Sequence, residues 1–195
     1  MSKRQAILQA ATRYFSVKGF KETSMADLAK MTGVAQGTIF YHFHSKEELF
    51  LSVLEEIKKD ITEEFEGYIR EKEFKTGLDM VEGAVYFYLY LAGAMEERFL
   101  LLHRHDAYEL AEVNTVCRQH LEGIYNSLLD IFERAVLLGQ KDGSIGDMTA
   151  RKTALIIFSM VDGLVRFNTY KLYDAGALYN ELIASCRKIL QNKPS

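Results

Sequence analysis

Seven consecutive positions, Gln36 to His42, set out an amide, a glycine, a hydroxyl, an isoleucine, a phenyl ring, a phenol and an imidazole. On a helix at about 100° per residue, Ile39 and Phe43 fall within about 40° of each other and mark an inward stripe. The opposite face then carries Gly37 and Tyr41, flanked by Gln36 and Phe40 on one side and by Thr38 and His42 on the other. A merely solvated helix more often shows Glu and Lys. These groups suit double-stranded DNA: a glutamine bonds bidentately to adenine, a glycine lets backbone approach closely, and Thr, Tyr and His reach phosphate oxygens.

The elements that must hold this face are legible around it. Ile7, Leu8, Ala11 and Phe15 repeat at helical spacing before Gly19, a plausible stop. Ser24 with Asp27 three residues on resembles a capping box that opens a short helix ending before Gly33. Thr32-Gly33-Val34 is the turn, and the second short helix runs through His42. Ser45, with Glu48 at the capping-box position, opens a third along Leu49, Phe50, Val53, Leu54 and Ile57. Two short helices joined by a Gly-containing turn form a helix-turn-helix.

Charge agrees with that reading. Residues 1–46 hold seven basic and two acidic side chains, a net +5, and the remainder holds 17 basic and 25 acidic, a net −8. A basic head on an acidic body fits a chain whose first fifty residues meet a polyanion. The chain has 195 residues, 48% hydrophobic and 26% charged, which excludes disorder, and its only proline is Pro194, so nothing interrupts helices by that route. An all-α protein is expected. The longest charge-free apolar run has 13 residues, between Glu82 and Glu96, against the roughly 20 that span a bilayer, and the amphipathic start shows no secretory signal. Cys117 and Cys186 form no disulfide framework, so a reduced, cytoplasmic setting is expected.

Thr23-Ser24-Met25-Ala26-Asp27-Leu28-Ala29, then Gly33 to Phe43, then Ser45-Lys46-Glu47-Glu48-Leu49-Phe50, closely resemble the tetracycline-repressor (TetR) family. The resemblance is dense over residues 4–57, and beyond that it implies only a plan. That plan is a helix-turn-helix head at 1–46, extending into the fourth helix to about 60, on a ligand-binding and dimerisation domain at 47–195. It implies base contacts from Gln36 and Gly37, Phe40 against bases or sugar, and phosphate contacts from Thr38, Tyr41, His42 and Lys46. Thr23 and Ser24 are implied to lie near the DNA backbone. Phe40 departs from the family's usual tyrosine, which removes a phenol-to-phosphate bond. The implied function is a ligand-responsive regulator, a repressor released from a palindromic operator by a small molecule. The alternatives, a helical binding protein or enzyme whose head no longer serves DNA, or a protein-interaction module, are disfavoured by the basic head with Gln36, Thr38, Tyr41, His42 and Lys46 intact.

The body reads as further helices at about 46–68, 76–95, 96–103, 106–139, 149–171 and 176–191, nine in all, with Asp106 as the cap of the long one and a loop at 141–146. No GxGxxG, phosphate loop, HExxH or GxSxG occurs, so no enzyme and no cofactor is expected. Cys117 and His120 lie one helical turn apart and read as packing and surface rather than metal ligands. His103, Arg104 and His105 read as cations at a helix C-terminus. Tyr86, Phe87, Tyr88 and Tyr90 surround their helix, mostly as core, with one or two left for a pocket. Candidate effector liners are Tyr86, Phe87, Tyr90, Cys117, Arg118, Tyr125, Phe158 and Asp162, for a small, largely apolar molecule. Asp162 among tyrosines suits a cation, Arg104 or Arg118 a carboxylate, and the sequence does not choose. The run 154–161 is apolar nearly all round. The last two helices are therefore expected to make a homodimer, with Phe158 outward and Leu182, Ile183, Ile189 and Leu190 beside it.

Overall fold

The computed structural model describes residues 2–191. Among them are ten α-helices: α1 Lys3–Lys18, α2 Met25–Thr32, α3 Gln36–His42, α4 Lys46–Glu71, α5 Gly77–Ala94, α6 Glu96–Leu102, α7 His105–Val113, α8 Thr115–Asp142, α9 Ala150–Thr169 and α10 Tyr179–Gln191, the last preceded by a 3₁₀ turn, Gly176–Leu178. The chain forms two compact units, Met1–Asp60 with Met95–Gly123, and Ile61–Ala94 with Ile124–Ser195. The sequence division at 46 to 60 did not anticipate that 95–123 would join the first sixty residues.

In the first unit, Ile7, Leu8, Ala11, Phe15, Leu28, Ile39, Phe43, Leu49, Phe50 and Val53 are buried together, the stripes that helical spacing marks. The rings of Phe15, Phe20 and Phe50 pack tilted or edge to face, their centres within 6.0 Å of one another. The turn between α2 and α3 closes on Gly33 at φ 67°, a left-handed position that glycine takes without strain. Ser24 caps α2 through the Asp27 amide at 3.1 Å, and Ser45 caps α4 through the Glu48 amide at 3.0 Å. Such caps contribute about 1 kcal/mol each. Along α1 packs α6, with Arg13 pairing Glu97 at 3.5 Å while Arg98 bonds Asp60.

The long helix expected from 106 to 139 is two. Asn114 takes an extended conformation after α7, and its Oδ1 accepts the Cys117 amide at 2.8 Å, so it restarts the chain as the cap of α8. Asp106 is not a cap. Arg104 occupies that place without a side-chain capping bond, and the Asp106 carboxylate turns instead to the Phe20 amide.

The second unit surrounds Phe65, Phe87, Tyr88, Phe132 and Phe158. Gly77 and Gly139 bring α5 and α8 into backbone contact: a Cβ on Gly77 would lie 1.9 Å from the Gly139 nitrogen. Asp142 accepts the Gly77 amide at 2.7 Å and Ser144 the Leu78 amide at 3.2 Å, so the loop after α8 caps α5. Phe158 is 4% exposed and faces Tyr88 and Phe132, not outward; Leu182, Ile183 and Leu190 are buried too. The outward apolar positions are Leu155, Ile156, Phe167 and Leu178. An almost uniformly apolar helix carries too little contrast for its sequence to tell its two sides apart.

Candidate nucleic-acid interface

The outward face of α3 is built as its spacing predicts. Ile39 and Phe43 are buried, whereas Gln36, Gly37, Phe40 and Tyr41 are exposed, Tyr41 to 80%, and Thr38 and His42 are half-buried beside them. Tyr41 and His42 meet edge to face at 5.1 Å, which holds phenol and imidazole as one ledge. Buried anchors on one side and exposed polar groups on the other fit a short helix pressed into a groove.

Three flanking residues have local work of their own. Thr23 is 1% exposed and its hydroxyl donates to the Gly19 carbonyl at 2.7 Å, so its side chain is turned into the head. The Ser24 hydroxyl is exposed but donates to Asp27 Oδ2 at 2.7 Å. That bond, with Asp27 the acceptor, holds the Asp27 carboxyl below its ordinary value. Lys46 Nζ donates to the Phe20 carbonyl at 2.7 Å and the Lys21 carbonyl at 3.3 Å, and sits 4.5 Å from the centre of the Phe20 ring. An ammonium has three donors, so these two carbonyls leave one of Lys46's over.

Three basic residues outside α3 brace the elements around this face. Arg104 donates to the carbonyls of Ser16 and Val17 at 3.2 and 3.1 Å, closing the C-terminus of α1. The favourable placement of cations at a helix end holds here, but for a different helix from the one expected. Lys21 pairs with Glu109 at 2.9 Å. Arg4 lies with its guanidinium carbon 5.1 Å from the centre of the Phe43 ring, at the end of α3. The count of basic residues at 1–46 includes Arg4, but nothing in its spacing points to Phe43.

The six effector candidates in the second unit do not form one site. Tyr125, Phe158 and Asp162 come together along a cleft of about 380 Å³ with Leu129, Leu155 and Arg166, and the Tyr88 hydroxyl donates to Asp162 Oδ1 at 2.6 Å. Tyr86 lines a different cleft, Phe87 stacks on Tyr68 at 4.1 Å, and Tyr90 is exposed against Phe87. Cys117 and Arg118 belong to the first unit. The Cys117 thiol contacts the Ala107 carbonyl at 3.6 Å and is pushed up to about 11, chiefly by burial, so it is an inert packing group. Arg118 donates to the Ala111 carbonyl at 3.2 Å, closing α7.

The comparisons bear on what such a head is for. Residues 7–53 match the family of bacterial regulatory proteins described as the tetR family. The fatty acid metabolism regulator protein of Bacillus subtilis is 27% identical over 208 residues, covering 98% of this chain and 97% of that protein. The head is a TetR-family DNA-binding domain. The regulator TtgR of Pseudomonas putida is 26% identical over 171 residues, covering 84% of this chain and 78% of that protein. The crystal structure of FadR from Bacillus subtilis in complex with stearoyl-CoA superposes with a TM-score of 0.81 at 23% identity, over 97% of this chain and 100% of that one. No helix among the described residues is long and apolar enough to cross a membrane.

Proposed function

We propose that the protein is a ligand-responsive repressor, without catalytic activity, that binds a near-palindromic operator in the cytoplasm as a homodimer and leaves it when a small molecule binds the body. The observation that carries this reading is the outward face of α3, where Gln36, Gly37 and Phe40 are free to meet bases and Thr38, Tyr41 and His42 to meet phosphates. Lys46 contributes one phosphate contact while it holds the loop before α2. Two copies supply what one short helix lacks, since each half-site buries little surface.

The homodimer reading is supported by α9 and α10. Leu155, Ile156, Phe167 and Leu178 are exposed apolar side chains on α9 and the turn before α10, and a shallow cleft of about 310 Å³ is lined by Met160, Leu164, Leu178 and Leu182. Exposed apolar patches of this kind mark interfaces. The relative solved with stearoyl-CoA supports an effector with a large apolar part.

Release has a physical route inside the first unit. Helices α6 and α7 grip α1 and the loop 19–21 through Glu97, Arg104, Asp106 and Glu109. A ligand that favours another placement of α6 and α7 would thereby disfavour the DNA-reading geometry, by its differential affinity, typically about 1–3 kcal/mol. The test is capture of the protein on DNA from its own upstream region, followed by addition of compounds recovered from the protein purified from its host. Saturable capture that a recovered compound reverses supports the reading, and equal capture by unrelated DNA contradicts it.

A further inference from the structure

A hollow beside α5 combines three features that the regulator's reading does not use. The Tyr68 ring lies flat on Phe87, 2° from parallel, and its hydroxyl is sealed from solvent without a hydrogen-bond partner. Such a group is costly to bury and is rare. It is sealed where Gly83 makes room: a Cβ there would lie 2.4 Å from Phe74 Cε1 and 3.3 Å from Tyr68 Oη. Phe74 sits in the non-helical segment between α4 and α5, so its ring can swing out without breaking a helix. A cleft of about 500 Å³ adjoins it, within the range of small-molecule sites, walled by Tyr86 and Tyr179.

The charges select among ligands. Both Glu82 oxygens are held by Arg187, at 2.5 and 2.8 Å, and Asp79 lies in the first turn of α5, where a helix favours negative charge. Lys72 Nζ rests 5.5 Å from the Tyr68 ring centre, and neither it nor Lys75 makes an ion pair among the described residues. Of the two carboxylates left in the lining, Glu73 lies between these lysines in sequence and Asp79 at the start of α5, both exposed. We infer that this cleft binds a small planar aromatic anion. Its ring replaces that of Phe74 over Gly83, its charge meets Lys72 and Lys75, and Tyr68 Oη donates to it. The inference stands apart from DNA binding, which is not its readout.

The probe is 2-naphthoate, titrated into the full chain. The protein has no tryptophan, so the probe's emission is read without interference from indole. Saturation at one probe per chain is expected. The double substitution Lys72→Gln with Lys75→Gln, at two exposed positions, is expected to weaken it about tenfold or more. Tyr68→Phe keeps the stack on Phe87 and is expected to weaken the probe about threefold while raising the melting temperature, because the unpartnered hydroxyl is gone. The proposal is overturned by any of three results: no saturable binding, equal binding of 1-naphthylmethylamine, or a Tyr68→Phe variant that melts lower.

Discussion

Asp106 accepts the backbone N–H of Phe20 at 2.9 Å, a bond between positions 86 residues apart. Beside it Gly19 has φ 88°, and a Cβ there would lie 1.9 Å from the same Asp106 oxygen, so the approach needs a glycine twice over. The loop 19–21 is held from α7 by this bond and from α4 by Lys46 on the Phe20 and Lys21 carbonyls. That loop leads directly into α2, so the placement of the reading helix rests on it.

Asp106→Ala should leave the Phe20 amide and Arg104 Nε without their acceptor. A loss of about 1–3 kcal/mol of stability is expected by denaturant titration. Operator affinity should fall more than affinity for random DNA, because a loosened α2 misplaces base contacts before phosphate contacts. Unchanged stability and unchanged operator affinity would show that the loop is held without it.

Lys46→Ala should act in two ways. The salt slope of DNA binding should fall by about one, as for a lost phosphate contact. The free protein should also lose about 1 kcal/mol, because two carbonyls lose their donor. Thr23→Val serves as the contrast, with lower stability but an unaltered salt slope, since that hydroxyl is bonded to Gly19. A reduced slope for Thr23→Val would restore it as a DNA contact.

Ile156→Glu, at a half-exposed position of α9, should convert dimer to monomer by light scattering while leaving helicity intact. Phe158→Glu should instead unfold the second unit, because it places a charge against Tyr88 and Phe132. Dimer mass retained in Ile156→Glu and in Leu155→Glu would move the interface elsewhere.

Asp142 gives a pH signature. Its carboxyl is held below its ordinary 3.8 by hydrogen bonds, first from Ser144 and then from the Gly77 amide. A lowered folded value means that its contribution is fully present above 3.8 and disappears as the pH falls through the folded value. Wild type should therefore lose stability below pH 3.8 more steeply than Asp142→Asn, measured by thermal melts across that range. Parallel curves would remove Asp142 from the cap of α5.

The head was legible in sequence because its signals are local. Ser24, Gly33 and Ser45 act within four residues, and Ile39 with Phe43 mark the inner stripe of α3 unaided. What escaped depends on distant partners. A lysine at 46 beside a reading helix suggests phosphate, and nothing nearby tells that two carbonyls 25 and 26 residues earlier claim it. Asp106 looks like a cap until Phe20 is brought to it. Asn114 breaks a helix only because its side chain turns back to the Cys117 amide. The effector candidates were chosen by residue type, and type alone does not say that Tyr125, Phe158 and Asp162 share a cleft while Cys117 is spent on packing.

The central claim is that α3 reads bases through Gln36. Its most direct measurement is the affinity of wild type and Gln36→Ala for the operator, for each single-base variant of it, and for random DNA, at one salt concentration. The account predicts that Gln36→Ala loses about 1–3 kcal/mol on the operator, keeps its affinity for random DNA, and becomes indifferent at one base pair in each half-site. Equal losses on operator and random DNA, with every base preference intact, would contradict it.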